Sequence, residues 1–481
     1  MSSVLARVVR IIVAAALLLA CGTAVTSSVV PLWLAIAALC LFATALVRPD
    51  WALLLFLAMA PWGARMAGVP VRATELLGFA AVAGWLLRID RTADEREVDW
   101  RGALLPAALY CGSAVLSWAR LEFAGEDVAG WRGLADAASH LPEYLVVAGR
   151  DPHAAAMVQI CFGVGLAVVV AVACSRDEHF GARAAWVVAG GALVAAAATI
   201  VAVPVRYWLS DDWNEVIRYF VSTRSRYAFH VSDVNAAGSH FLVGGLMVVG
   251  AWMARHGARA IWTATLAMVA LALWICGSRS AMVTAVVLGG LMFAGPRLVA
   301  AGWRWPALSS RIIGAAAMVV LLALVAAPTA LGSASAIRGS ASRSMSVREE
   351  FLVTSGRMLA TAPTLGVGVG TYYQRSSEFM PPGIRRLYGR ENAHDYFMQT
   401  AAELGVVGLG AFIWLLGASL NPLWHRVRPD GRQTLALSVL VALVGFLLTC
   451  VTGHPLLVVE VSVPFWALLG VSMSGRLGAN R

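Results

Sequence analysis

The sequence predicts an all-α, polytopic integral membrane protein with about 12 to 14 transmembrane helices and one long loop on the outer side of the membrane. Three observations predict this. Of 481 residues, 59% are hydrophobic and only 13% are charged, with a mean hydropathy of +0.74; a soluble domain carries about 25% charged residues. The apolar residues gather into runs of about 20, the length that crosses a bilayer. Basic residues punctuate those runs and recur on alternate connections, as the positive-inside rule requires.

The net charge is +10, from 37 basic and 27 acidic residues, and all 37 are Arg. A pI near 9.7 can signal nucleic-acid binding, but Arg spaced between membrane-length runs excludes a soluble nucleic-acid-binding domain. The seven Cys (21, 40, 111, 161, 174, 276 and 450) lie in or beside apolar runs without CxxC spacing. Neither a disulfide framework nor a zinc site is expected.

The runs lie at about 9–28, 29–47, 51–65, 73–88, 103–119, 155–174, 183–203, 236–254, 259–276, 280–296, 312–331, 396–420, 433–452 and 456–474. The third is short and contains Pro61, so it is broken or re-entrant and the count spans 12 to 14. Leu18-Leu19-Ala20-Cys21 resembles a lipoprotein cleavage site, but more membrane segments follow, which favours a first membrane helix. Arg7 and Arg10 place the N-terminus in the cytoplasm. Arg48, Arg88–Arg101, Arg176–Arg183, Arg255–Arg259, Arg297–Arg311 and Arg426–Arg432 then fall on the same side. Both termini are cytoplasmic, leaving longer outer loops at 120–154, 204–235 and 332–395. No repeat or detachable soluble domain is evident. Residues 1–481 read as a single integral membrane domain.

Four places concentrate polar chemistry. Arg226-Tyr227-Ala228-Phe229-His230-Val231-Ser232-Asp233-Val234-Asn235 crowds the outer mouth of the eighth run, where polar groups need partners or an aqueous cavity. Cys276-Gly277-Ser278-Arg279-Ser280 joins two runs with almost no loop, and an Arg so near the interface needs an anionic partner. In the long loop, a helix at about 346–361 carries Arg348. Pro363-Thr364-Leu365-Gly366-Val367-Gly368-Val369-Gly370 follows it, with glycines spaced as in a weak phosphate-cradle pattern. Arg375, Arg385, Arg386 and Arg390 then alternate with tyrosines; planar guanidinium forks suit phosphate and aromatic rings suit sugars. Finally His394-Asp395 precedes Gly405-Val406-Val407-Gly408 at the head of a membrane helix. The helix dipole there keeps imidazole neutral and able to accept a proton, and the glycine pair suits close helix approach.

His394-Asp395-x9-Gly405-x2-Gly408 resembles the His-led motif of the bacterial O-antigen ligase and O-antigen polymerase superfamily. Arg226 with Asn235, Ser278-Arg279, and Pro363-x-Leu365-Gly366-Val367-Gly368-x-Gly370 resemble further segments of that family, in the same order. The resemblance covers about 220–410. It departs at Asp395, where the family often has Asn, and at Ala228 and Val234, where Gly and Pro are common.

The resemblance implies a GT-C-like fold at the inner (plasma) membrane and a catalytic region at 220–410, facing the periplasm. It also implies an inverting, metal-independent glycosyltransferase that uses an undecaprenyl-diphosphate-linked glycan donor, with no cofactor. The acceptor is a glycan or lipid; membrane lipids and other polysaccharide-assembly proteins are further partners, and nucleic acid is not. Arg226 and Arg279 are then the diphosphate ligands and His394 the catalytic base. Arg348, Arg385, Arg386, Arg390 and Asp395 are loop contacts. Up to about 14 spans is more than the ligases carry, which favours a repeat-unit polymerase for O-antigen or exopolysaccharide. The alternative is a ligase acting on a lipid A core or another acceptor. A lipid-linked glycan transporter, the reading from another class, predicts midplane polar residues and internal repeats.

Overall fold

The computed structural model describes residues 3–27, 29–63, 72–88, 101–124, 130–146, 151–208, 214, 216, 226–254, 259–300, 340–427, 434–475 and 477. Their regular structure is 17 α-helices and three short 3-10 turns, with no strand among the described residues. In order they are α1 (Ser3–Thr26), α2 (Leu32–Val47), α3 (Pro49–Met59), α4 (Ala73–Arg88), α5 (Arg101–Phe123) and α6 (Trp131–His140). Next come α7 (Pro152–Arg176), α8 (Phe180–Trp208), α9 (Val234–Met253), α10 (Arg259–Cys276) and α11 (Arg279–Ala300). The long-loop region holds α12 (Ser340–Thr361), α13 (Tyr372–Phe379) and α14 (Pro382–Tyr388), and the chain closes with α15 (Tyr396–Trp424), α16 (Thr434–Cys450) and α17 (Val459–Ser474).

Among the described residues seven helices contain stretches long and apolar enough to cross a membrane, and four shorter apolar helices accompany them. The protein is therefore a multi-pass, all-α membrane protein. The expected run at 312–331 lies outside the described residues, as do 209–213, 215 and 217–225 of the 204–235 loop. The short third run behaves as Pro61 suggests: α3 gives way to a 3-10 turn at Ala60–Trp62. Eleven helical residues rise only about 16 Å, roughly half the hydrocarbon thickness.

The interior belongs to α9 and α17. Every α17 residue from Val461 to Ser474 is buried, and 83% of the apolar window of α9 is buried against 17% for α1. Small residues permit this density. Gly470 lies on the Ala167 carbonyl and Gly163 beneath the Trp466 ring, so a Cβ at either would force α7 and α17 apart. The outer surface presents Ile12, Leu32, Leu39, Ile261 and Val286, each more than half exposed. So much apolar surface is unfavourable in water but matches a lipid surround.

One end of the bundle is elaborated. There α6 and the 3-10 turn Leu141–Leu145 are moored to the first helices. Thr23 Oγ1 donates to the Pro142 carbonyl, and Arg72 donates to both Glu75 (2.7 Å) and the Tyr144 hydroxyl. Tyr144 in turn donates to Glu75 at 3.1 Å. Helices α12 to α14 cover the same end, and the polar groups of interest gather under them.

Candidate functional site

The glycine-rich segment 363–370 is a structural clasp. α15 is broken at Gly405, which adopts φ 68 and ψ −171. Backbone groups freed inside a bundle must find partners, and the segment supplies them. Val367 and Gly368 donate to the carbonyls of Ala402 (2.8 Å) and Glu403 (3.1 Å), while Val406 and Val407 donate to those of Pro363 (2.9 Å) and Thr364 (3.3 Å). A Cβ on Gly405 would strike the Thr364 carbonyl, and one on Gly366 would strike the Glu403–Leu404 backbone. Both have positive φ, so glycine is required twice over. The Glu403 carboxylate accepts from the N–H of Gly370 (3.0 Å) and Tyr372 (3.1 Å). From α5, Arg120 donates to the Gly366 carbonyl at 2.7 Å and Ser117 Oγ accepts from Val369 N–H at 2.9 Å. The phosphate-cradle pattern thus has a different cause. The close approach expected of Gly405 is to this segment and not to another helix; Gly408 faces the Leu404 side chain of its own helix.

The clasp holds the first half of α15, at whose head His394 sits. Asp395 is the helix cap, accepting from Met398 N–H at 3.0 Å; burial pushes its carboxyl up to about 6. Tyr396 N–H donates to the Gly453 carbonyl (3.1 Å), fastening this corner to the link between α16 and α17. His394 has φ 53, the one positive value among described non-glycine residues. A conformation of that kind costs about 1–3 kcal/mol and persists where surroundings impose it. Its ring lies against Phe351 (centroids 5.3 Å apart) and His454 (5.2 Å). Its Nε2 is 4.0 Å from Glu391 Oε1. Burial, then His454, push the imidazole down to about 4, with Arg348 acting the same way and Glu391 and Asp233 opposing. The ring is neutral near pH 7, chiefly because it is desolvated; the helix dipole was the cause read from sequence.

Arg226 and Arg279 are brought together by a seam between their segments. Tyr227 N–H donates to the Ile275 carbonyl at 3.2 Å, the Cys276 thiol reaches the Val234 carbonyl at 2.6 Å, and Gly238 packs directly on the Ser278 side chain. Gly277, at φ 68, turns the chain so that α11 starts at Arg279. Both arginines are exposed. Ser278 Oγ is fully buried without a hydrogen-bond partner. From above, α12 adds Arg348, whose guanidinium is pushed down by burial and then by the charges of Arg226 and Arg279. Among the described residues none of these three arginines makes an ion pair.

Arg385, Arg386 and Arg390 are exposed on and after α14, and Arg385 donates to the Met380 carbonyl. Among the described residues no hydrogen bond joins them to Arg348, although α14 packs on α12 through Ile384 and Phe351. Arg224 and Arg65 lie outside the described residues. Sequence reasoning missed His454, whose Nε2 stands 3.5 Å from Asp233 Oδ2, and gave no role to Glu391. The one available signal was a lone His in the very short link between the last two apolar runs. Among the described residues no three His, Cys, Asp or Glu side chains gather as a metal site.

The fold and site define a class: a multi-pass membrane protein with an arginine–histidine centre at one end of its bundle. The O-antigen ligase family model matches residues 264–413, about a third of the chain, and this match supports assignment to the O-antigen ligase/polymerase superfamily. No curated protein matches the chain. The matched stretch includes Arg279, Arg348, His394 and the clasp, whereas Arg226, Asp233 and His454 lie outside it. The matched family points to an enzyme of O-antigen ligation or polymerisation and implies, in general terms, a lipid-linked glycan and an acceptor as substrates.

Proposed function

We propose that the protein is an inverting, metal-independent glycosyltransferase at the periplasmic face of the inner membrane, with both termini cytoplasmic. Its donor is an undecaprenyl-diphosphate-linked glycan and its activity the polymerisation of surface-polysaccharide repeat units. The observation that carries this reading is the meeting of three arginines, without acidic partners among the described residues, with a neutral, strained histidine.

A diphosphate is already a good leaving group, so the reaction needs charge stabilisation on the departing oxygens and a base for the acceptor. Arg226, Arg279 and Arg348 supply the first, as charge-assisted guanidinium donors to the departing oxygens. The acceptor hydroxyl oxygen attacks the anomeric carbon and forms the new glycosidic bond. The bond from that carbon to the diphosphate oxygen breaks, its electron pair leaves with the diphosphate, and His394 takes the hydroxyl proton. Arg348 moves by this reading from a loop contact to a third ligand of the diphosphate, and Asp395 becomes the cap that fixes the corner bearing His394.

Ligation is the second reading, favoured by the description of the matched family. Deleting the gene and analysing the glycans separates the two. Single repeats on the acceptor mark a lost polymerase; full-length polymer left on undecaprenyl diphosphate marks a lost ligase. A membrane-inserted His394→Ala protein should lose about 10²–10⁴-fold of its turnover, and normal glycan transfer by that variant would remove His394 as the base. The transporter reading is disfavoured because these charged groups gather at helix ends, away from the midplane.

A further inference from the structure

We infer that His454, anchored by Asp233, is the positioning residue of the base, holding the His394 ring in place and leaving it free to accept the acceptor's proton. The inference rests on the transferase reading above. His454 lies outside the stretch matched by the family model, so geometry alone assigns it this role.

The first argument is mechanical. Among the described residues the His394 ring nitrogens make no hydrogen bond; only the 4.0 Å approach to Glu391 is polar. A general base is ordinarily oriented by a third group, yet this one stands on a positive-φ residue and is held by ring packing. Phe351 covers one side and His454 another. The link bearing His454 is itself fixed. Gly453 accepts from Tyr396 N–H, two residues from His394, and Leu457 N–H closes onto the His454 carbonyl at 2.9 Å. From α7, Gln159 donates to the Leu456 carbonyl at 2.9 Å.

The second argument is electrostatic. Asp233 divides its oxygens between two tasks. Oδ1 caps α9, accepting from Asn235 N–H (2.8 Å) and Ala236 N–H (3.1 Å), while Oδ2 faces His454 Nε2 at 3.5 Å. A carboxylate fixed by a helix cap favours the Nε2–H tautomer of His454, which leaves its buried Nδ1 without a hydrogen-bond partner. The charges around the two rings come from every neighbouring element: Arg348 on α12, Glu391 before α15, Asp233 at the head of α9, and beyond Arg348, Arg226 and Arg279. Two imidazolium rings side by side under three guanidiniums repel strongly, so the pair holds at most one proton. Burial pushes His454 down while Asp233 and Glu391 pull it up. With its closer carboxylate, His454 is the ring that holds a stray proton, and His394 stays neutral and receptive.

The test uses purified full-length protein in lipid nanodiscs with a polyprenyl-diphosphate oligosaccharide donor, reading release of polyprenyl diphosphate. His454→Gln keeps bulk and a polar contact to Asp233 but loses the ring. Its kcat should fall about 10- to 100-fold, as for a misplaced catalytic group, with donor KM within about twofold of wild type. The acid limb of its kcat profile should move to higher pH, because the neighbour that discourages protonation of His394 is gone. Asp233→Asn keeps the cap, since Asn caps as well as Asp. In the His454→Gln background it should add less than about a twofold loss if Asp233 works through His454. If His454→Gln does not fold, as judged by gel filtration and thermal transition, His454→Asn carries the same measurement. Unchanged kcat, or a lower kcat with the acid limb unmoved, overturns the inference while leaving the transferase reading standing. A wild-type protein that releases no polyprenyl diphosphate, or an active His394→Ala, overturns that reading and the inference with it.

Discussion

Replacing Gly405 by alanine tests whether the clasp is what holds the catalytic corner. Gly405 sits at φ 68 and ψ −171, a region essentially confined to glycine, where an L residue costs about 1–3 kcal/mol. The added methyl also points at the Thr364 carbonyl, a backbone atom that cannot rotate away. Relief requires segment 363–368 to withdraw, breaking four backbone hydrogen bonds that contribute about 1 kcal/mol each. The expected cost is about 5–7 kcal/mol, enough to open the clasp without unfolding the bundle. Gly417→Ala is the matched control. It lies in the same helix with open space where a Cβ would go, so it should be neutral or stabilising by about 0.5 kcal/mol. Thermal unfolding in detergent, with hydrogen exchange of the 363–370 amides, reports both. Gly405→Ala should lower the transition, expose those amides and abolish transfer. Protection and stability equal to those of Gly417→Ala would refute the reasoning.

Arg348→Gln should raise donor KM by about 10- to 100-fold, the loss of one charge-assisted contact, in a donor titration of the purified protein; an unchanged KM removes Arg348 from the diphosphate clamp. Glu75→Ala should destabilise by about 3–5 kcal/mol in thermal unfolding, because it strands the Arg72 guanidinium in a largely buried site, and a loss under about 1 kcal/mol would mean the pair is only a surface contact. For pH, His394, as the proposed base, must be neutral to act and is pushed down to about 4; kcat/KM should therefore hold from neutral pH down to mildly acid conditions and fall only as pH drops through about 4. An acid limb near 6.5, the ordinary histidine value, would show that the base is some other, unperturbed group.

Most of the helical layout was legible because membrane helices announce themselves by length and composition, and each apolar run within the described residues became a helix. Polar segments were read less well. The helix expected at 346–361 begins at Ser340, since Ser and Arg in its first turns carry no apolar periodicity. Arg226, Arg279 and His394 were visible as polar groups at the ends of apolar runs, where such groups need partners or an aqueous site. The glycines at 366, 368 and 370 were visible but ambiguous. Alternating glycine suits any backbone that must come close to something, and only the break at Gly405 shows that this something is another stretch of the same chain. His454 had no sequence signal tying it to Asp233, because that contact exists only once α9 and the α16–α17 link meet beside His394.

The arrangement also bears on why the proposed base has so little proton affinity. Arg348 depresses His394 through its positive charge, and Arg348 is itself depressed by Arg226 and Arg279. The field that would hold a diphosphate therefore adds, through Arg348, to the burial and the His454 ring that keep His394 unprotonated at rest. A donor diphosphate seated among the three guanidiniums cancels much of that field, and opposite charge nearby favours the imidazolium. Proton affinity at His394 then rises when the leaving group is in place and stays low when it is absent. The expected signature is an acid limb in kcat, which reports the complex, lying at higher pH than the limb in kcat/KM, which reports the free enzyme. Coincident limbs would mean that Arg348 acts on His394 independently of the donor.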